Sequence, residues 1–554
     1  MHKRLAGLLG VMALVGCGGS GSGGGGTHDG GLDASAGSGG VSGTGTGGDG
    51  GSGGVAGGTG GVGGGSGGVS GGDAGVGGSA GAGGTAGDGG TPTPTLAGTE
   101  FWAVDLPMSR GPDAAWDKPW HLLVHNPGSA AANVTVERND AAPGATPAPT
   151  KVSDTNVLAG QSLTITMPTR EVSGMTSSTA DPPGPPYTLL SSNAFHVTST
   201  APILLYQQNG DDAANGGTAL LPATELGTKH HVLGWPTTNP TAPISIPGIP
   251  DHSSVTIVGT AAGTSVTVTA GGAMLGNGTI SAKKAGEQLS LQLGPFDVLN
   301  LSSDGGTGDL TGTIVEASAP VAVFSSGERI TVPYAGFAPP APTFAGHDPN
   351  DTCCTDHFEL QIPPNGALGQ SYAIAKSPLR SGSSFVEPDF VRVVGTSAGT
   401  TVSTSLPAPF DSFTVSAGEV HDIWATTSFT LTSSAPLLVG QLLASKNFTT
   451  QDTGDPSMFL VTDSPAFQKH FGFQADATWT TSTLVVIAPS TSGLQLDGAA
   501  LPSSCSSSAL GASYQRVECA VTAGSHILDS SVPVGAYLYG YGATASIVLP
   551  LSGT

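Results

Sequence analysis

The chain has 554 residues with 17 Lys or Arg against 40 Asp or Glu, a formal charge of −23. Nucleic-acid binding rests on clustered basic side chains that displace counterions, so this balance excludes it, and it disfavours docking on anionic membrane surfaces. Only 10% of the chain is charged. Strand-like alternation replaces amphipathic helical periodicity throughout, so the expected class is an all-β secreted protein.

Lys3 and Arg4 precede an apolar stretch of eleven residues, 5–15. Spanning a bilayer as a helix takes ~20 residues, so this stretch fits a secretory signal over 1–16 instead. Leu14-Val15-Gly16-Cys17 resembles the bacterial lipobox. In that family the signal is cut before the cysteine, which then carries acyl chains, palmitate among them. Two lipid signals suffice for stable anchoring, so Cys17 is the expected lipidation site. With Gly18 after it, the expected location is the outer membrane or cell surface, with the membrane reached through the lipid anchor alone.

Residues 17–97 are a low-complexity run of Gly with Ser, Thr, Ala and scattered Asp. Such a composition buries too little apolar surface to offset its ordering entropy, so a disordered tether is expected. A flexible coil of ~80 residues averages roughly 50 Å end to end.

Beyond the tether the sequence repeats. Gly98-Thr-Glu-Phe-Trp is echoed at Gly227-Thr-Lys-His-His and at Gly369-Gln-Ser-Tyr. Hairpin-like segments recur, as in "SVTIVGTAAGTSVTVT" from Ser254 and "FVRVVGTSAGTTVSTS" from Phe390. Ala-Gly precedes a strand at Gly160, Gly286, Gly418 and Gly524. The clearest element sets a proline ahead of an apolar strand: "STAPILLYQQ", "ASAPVAVFSS", "SSAPLLVGQL" and "SSVPVGAYLY". Four copies follow, at 98–226, 227–368, 369–467 and 468–554. Units of this length suit tandem β-sandwiches, each with its own core. The alternative is a β-propeller with two blades per unit.

These elements, with the Leu-Pro-x-x-x-Leu-Gly linkers and "CCTDHFELQIPPNGALGQSYAI" from Cys353, resemble the IgGFc-binding protein N-terminal domain over about 98–550. The resemblance implies an extracellular binding or adhesion role without an established catalytic residue set, and it transfers no particular ligand.

Five cysteines are present. With Cys17 on lipid, Cys353, Cys354, Cys505 and Cys519 remain, and three pairings are open. Cys505–Cys519 would staple a hairpin and leave Cys353–Cys354 as a vicinal disulfide. The other pairings tie the Cys353 loop to the fourth unit.

The densest polar segment, "GHDPNDTCCTDHFE" at 346–359, offers Asp348, Asp351, Asp356 and Glu359 as candidate calcium ligands, since calcium takes six to eight oxygens. The other reading is a solvated loop with Asp and Asn capping turns and His357 opening a strand. No cofactor is otherwise expected. Trp116, Trp120, Tyr187 and His357 are candidate contacts for an extracellular protein or glycan, although aromatics in such chains usually pack inside. The expected function is a non-enzymatic, surface-displayed binding or adhesion lipoprotein. A surface glycan hydrolase and a structural envelope or matrix protein are the alternatives.

Overall fold

The computed structural model describes residues 96–110, 115–179, 184–210, 215–237, 250–305, 307–334, 355–381, 386–446, 449 and 453–553. Strands and short 3-10 turns make up its regular structure, with no α-helix among the described residues.

The first unit shows the plan. Its strands are Gly98–Val104, Trp120–His125, Ala132–Asn139, Pro149–Val157, Ser162–Met167, a 17-residue strand Ala194–Gly210, and Asn215–Ala219. The first half of Ala194–Gly210 pairs with Gly98–Val104 and Ala132–Asn139. Its second half pairs with Trp120–His125 and Asn215–Ala219. One strand therefore turns a corner between two sheets, and the sheets close on a shared core as a sandwich. Corner strands Ile314–Ile330 and Gly524–Tyr541 repeat the pattern, while the third unit breaks its corner into Phe429–Ser433 and Leu437–Leu443.

The repeated proline sits at that corner. Register slips between Glu316 and Val321, around Pro320, and Pro436 lies in the gap of the broken strand. Proline gives no amide hydrogen to a ladder, so the ladder is interrupted where it stands. The repeated glycine has a different cause. A Cβ on Gly98 would lie 2.3 Å from Pro222 Cβ, and one on Gly227 would lie 2.4 Å from Pro364 Cβ. In the first three units the linker leaving the unit crosses the start of its first strand so closely that only hydrogen fits, whereas the fourth unit opens on Gln468.

The last strands of the four units are Asn215–Ala219, Asp356–Gln361, Met458–Leu460 and Ser546–Pro550. Each packs on the next, and the fourth packs back on the first. These inner strands surround an axis and close the units into a ring. The cores fuse across every seam. Phe101 and Phe195 share a cluster with Phe296 and Phe324 of the second unit. Trp235 shares one with Phe390 and Leu442 of the third. Phe459 packs with Tyr537 and Tyr539 of the fourth, while Leu204 and Tyr206 meet Ile547 and Leu549 to close the circle. Full burial of such side chains is worth roughly 1.5–3 kcal/mol each, so every seam is a substantial apolar joint. The ring has the radial order of a propeller, but each unit is a two-layer sandwich. Residues Leu189–Ser191 of the first unit also pair with Val298–Ser302, covering the sheet edge of the second.

The ring has two unlike ends. Trp120 pairs with Met167 and Gly210 with Asn215, so the strand ends that border 105–119, 168–193 and 211–214 share one end. By the same topology the strand ends that border 232–252, 331–355, 375–388 and 444–457 lie at that end in the second and third units. In the fourth the equivalents shorten to 476–480 and 542–545. The linkers between units lie at the opposite end. Leu96 and Leu551 border one cavity there, and Phe471 bridges to Gly553.

Candidate functional site

The polar strand singled out in the sequence, Asp356–Gln361, is the inner strand of the second unit and is buried along its whole length. Phe358 and Leu360 join the second unit's core. His357, Glu359 and Gln361 alternate with them and meet the first unit's inner strand. Gly216 makes room there, since a Cβ on it would lie 2.6 Å from His357 Cδ2. Gln207 Nε2 and Asn209 Nδ2 donate to Glu359 Oε2 at 3.2 and 2.9 Å, and His357 Nε2 stands 3.8 Å from the same oxygen. His357 Nδ1 lies 2.9 Å from the Gly327 carbonyl and donates to it. Burial pushes the Glu359 carboxyl above its ordinary range.

Asp356 faces the other way and ties three units together. Its Oδ1 accepts the amides of Asn215 at 2.5 Å and His357 at 2.9 Å, and its Oδ2 accepts that of Ser546 at 3.2 Å. Burial, reinforced by nearby Asp455, raises its pKa well above the usual carboxylate range. Of the four calcium candidates, Asp356 and Glu359 lie within the described residues. Asp356 and Glu359 project to opposite sides of one strand, and protein donors occupy Asp356 and one oxygen of Glu359. Among the described residues no group of three or more His, Cys, Asp or Glu gathers as a metal site. Asp348, Asp351, Cys353, Cys354 and Cys17 lie outside the described residues.

Beneath the loop end, the seam between the first two units holds further buried carboxyls. Asp105 Oδ2 accepts the Arg170 amide at 2.5 Å, and burial pushes the Asp105 pKa up to about 8, with Glu359 adding to the rise. Glu171 accepts from the Met108 amide and the Ser173 hydroxyl, and burial lifts its pKa well above normal with Asp105 adding to it. Glu328 accepts the His252 amide at 2.9 Å and is lifted likewise by burial, Asp251 and Glu171. Arg329 Nε pairs with Asp251 at 3.2 Å. These groups brace the bases of the loops from within the fold.

The aromatic candidates divide. Trp120 is core, with its Nε1 donating to the Pro168 carbonyl at 3.0 Å and its ring edge-on to Phe195, so it is not available to a partner. His357 is likewise sealed inside. Trp116 is partly buried against Met108. Tyr187 is partly buried at φ 60°, its ring 4.1 Å from His252 and 5.7 Å from the Arg110 guanidinium carbon. Cys505 and Cys519 are disulfide-bonded across 14 residues at the base of a hairpin in the fourth unit.

Sequence reasoning missed the seam arginines. Arg392 reaches from the third unit to Asp309 and the Gly234 carbonyl of the second, and Arg380 stands over Tyr541 of the fourth. The signal for Arg380 is the placement of Pro and Arg after the first strand, in Pro378-Leu-Arg380 as in Pro107-Met-Ser-Arg110, whereas Arg392 sits inside strand Asp389–Gly395 without such a mark.

No curated protein matches the chain. The family model described as IgGFc binding protein matches residues 216–540, from the first unit's inner strand to the fourth unit's corner strand. That span is more than half of the sequence and takes in all of the second and third units. The chain belongs to the IgGFc binding protein family.

Proposed function

We propose that this chain is a non-enzymatic binding or adhesion protein, held at the cell surface by lipidated Cys17 and its glycine-rich tether. Its partner is an extracellular protein or glycan, met through the loop end of the ring. One observation carries the reading: the longest connections of the first three units leave from one end, while Leu96 enters at the other. Loops on a rigid β scaffold are where recognition usually resides, and the strand ends that carry these connections are opposite the end at which Leu96 enters. Family membership supports a binding role. A glycan hydrolase needs two carboxyl groups flanking a substrate bond, whereas Asp105, Glu171, Glu328 and Asp356 are enclosed in the scaffold.

The long connections of the first two units, 168–193 and 331–355, set the recognition surface, and the compact fourth unit closes the ring. The test is a glycan and protein array probed with the soluble chain from residue 96, with and without calcium. A variant lacking residues 339–351 should lose capture while melting within a few degrees of the parent. Undiminished binding by that variant, together with full binding after the 168–193 connection is shortened, would reject the reading.

A further inference from the structure

At the linker end, opposite the loops, the four inner strands converge on a cavity of about 170 Å³. Gly217 to Ala219, Leu360, Phe459 and Pro550 bring one wall from each unit, and Tyr372, Val439, Val461 and Leu551 add to the apolar lining. Protein interiors leave few voids larger than a water molecule. A void of ~150 Å³ lined by apolar side chains admits a benzene-sized guest. This space is therefore large enough to be a site.

Its polar character is one-sided. The charged residues among the described lining are Glu225 and Asp463, both acidic. Asp463 is half-buried at the turn that opens the last linker, and its side chain makes no capping hydrogen bond to that turn. The carboxyl rests directly over Gly369, where a Cβ would lie 2.1 Å from its Oδ2. The other titratable groups that feel it are Tyr372, whose hydroxyl donates to the Leu437 carbonyl at 2.6 Å, and Tyr537, whose hydroxyl accepts the Thr462 amide at 3.1 Å. Neither tyrosine hydroxyl carries positive charge, so neither neutralises the acid. Burial pushes the Asp463 pKa up to about 6, which is the response of a carboxylate held beside apolar walls without a counter-charge.

We propose that this axial cavity is a binding site for a small primary amine carrying a compact apolar body. The body fills the space between the inner strands, and the ammonium pairs with Asp463. Because the lining comes from all four units, the site exists only in the closed ring. It lies away from the loop end and does not depend on how the loops are used.

The experiment titrates the whole chain with phenethylamine, 2-phenylethanol and phenylacetate, three probes of one shape and different charge, by calorimetry at pH 7.5. The expected order is saturable binding of the amine, binding of the alcohol at least tenfold weaker, and none of the acid. Asp463→Asn should bring the amine down to the alcohol's affinity with a melting temperature at or above the parent's. Val461→Phe, which fills the cavity, should abolish binding of both. Amine affinity should fall about tenfold per pH unit below pH 6, as the proton competes for Asp463. Equal affinity for amine and alcohol, an Asp463→Asn variant that binds the amine like the parent, or no saturable binding would each overturn the proposal.

Discussion

Arg392 is the most exacting test of how the ring is held. Its Nε and Nη2 donate to the two oxygens of Asp422, both at 2.8 Å, and its Nη1 donates to Asp309 Oδ2 at 2.7 Å and the Gly234 carbonyl at 3.0 Å. The guanidinium also lies 4.3 Å from the Trp235 ring centre. Side-chain exposure is 3% for Arg392, 27% for Asp309 and 15% for Asp422. Arg392→Met keeps the apolar stem but leaves two carboxylates facing each other. Removing one partner of a buried pair costs about 3–5 kcal/mol, and a desolvated cation over an aromatic ring adds roughly 2 kcal/mol. Water reaching Asp309 offsets part of this, so the expected loss is about 4 kcal/mol. Urea unfolding followed by tryptophan fluorescence measures it. The triple variant with Asp309→Asn and Asp422→Asn should recover most of the loss. A single variant within about 1 kcal/mol of the parent, or a triple variant no better than the single, would refute the reasoning.

Asp105 makes stability depend on pH. Its folded pKa is raised to about 8 from an unfolded value of ~3.9, so its contribution is complete below pH ~4 and is lost as pH rises towards 8. Asp105→Asn should therefore match the parent near pH 4 and exceed it by several kcal/mol at pH 8; parallel stability curves would contradict this. Replacing Cys505 and Cys519 together opens a loop with a sequence separation of 14 and should cost ~3 kcal/mol relative to the oxidised parent protein, with the reduced parent matching the variant. Gly216→Val should loosen the seam between the first two units, because its Cβ would already stand 2.6 Å from His357 Cδ2; amide exchange at Phe358 and Leu360 should rise before global unfolding does. Cys17→Ser should abolish palmitate labelling, and labelling that persists would remove the anchor assignment.

Much of the strand plan was legible. The Pro that opens each apolar strand marks the corner between sheets, and the Gly that opens the first three units marks a linker crossing too close for a side chain. The polar strand was misleading for a physical reason. His357, Glu359 and Gln361 alternate with Phe358 and Leu360 in the pattern of a half-exposed strand, yet all five are buried, because the side-chain-free Gly216 lets the neighbouring strand close over them. Ring closure left no local signal at all. Leu204 and Ile547 are ordinary apolar strand residues, and nothing in either neighbourhood says that they meet. Asp463 was unremarkable for the same reason, since a single acid in a linker becomes distinctive only when four strands converge beside it.

The entry of the chain at one end of the ring also has a mechanical meaning. Strand Gly98–Val104 runs from the linker end towards the loop end, paired antiparallel with the corner strand from Val104↔Ala194 back to Gly98↔Ile203. A pull applied through Leu96 acts along that strand, so its ladder is loaded in shear and its bonds must fail together. A strand drawn away sideways would lose them one at a time. Under the proposed function, force between the loops and Leu96 is thus borne by the ladder between Gly98–Val104 and the corner strand, and a ring without a free terminal unit offers no edge from which to peel.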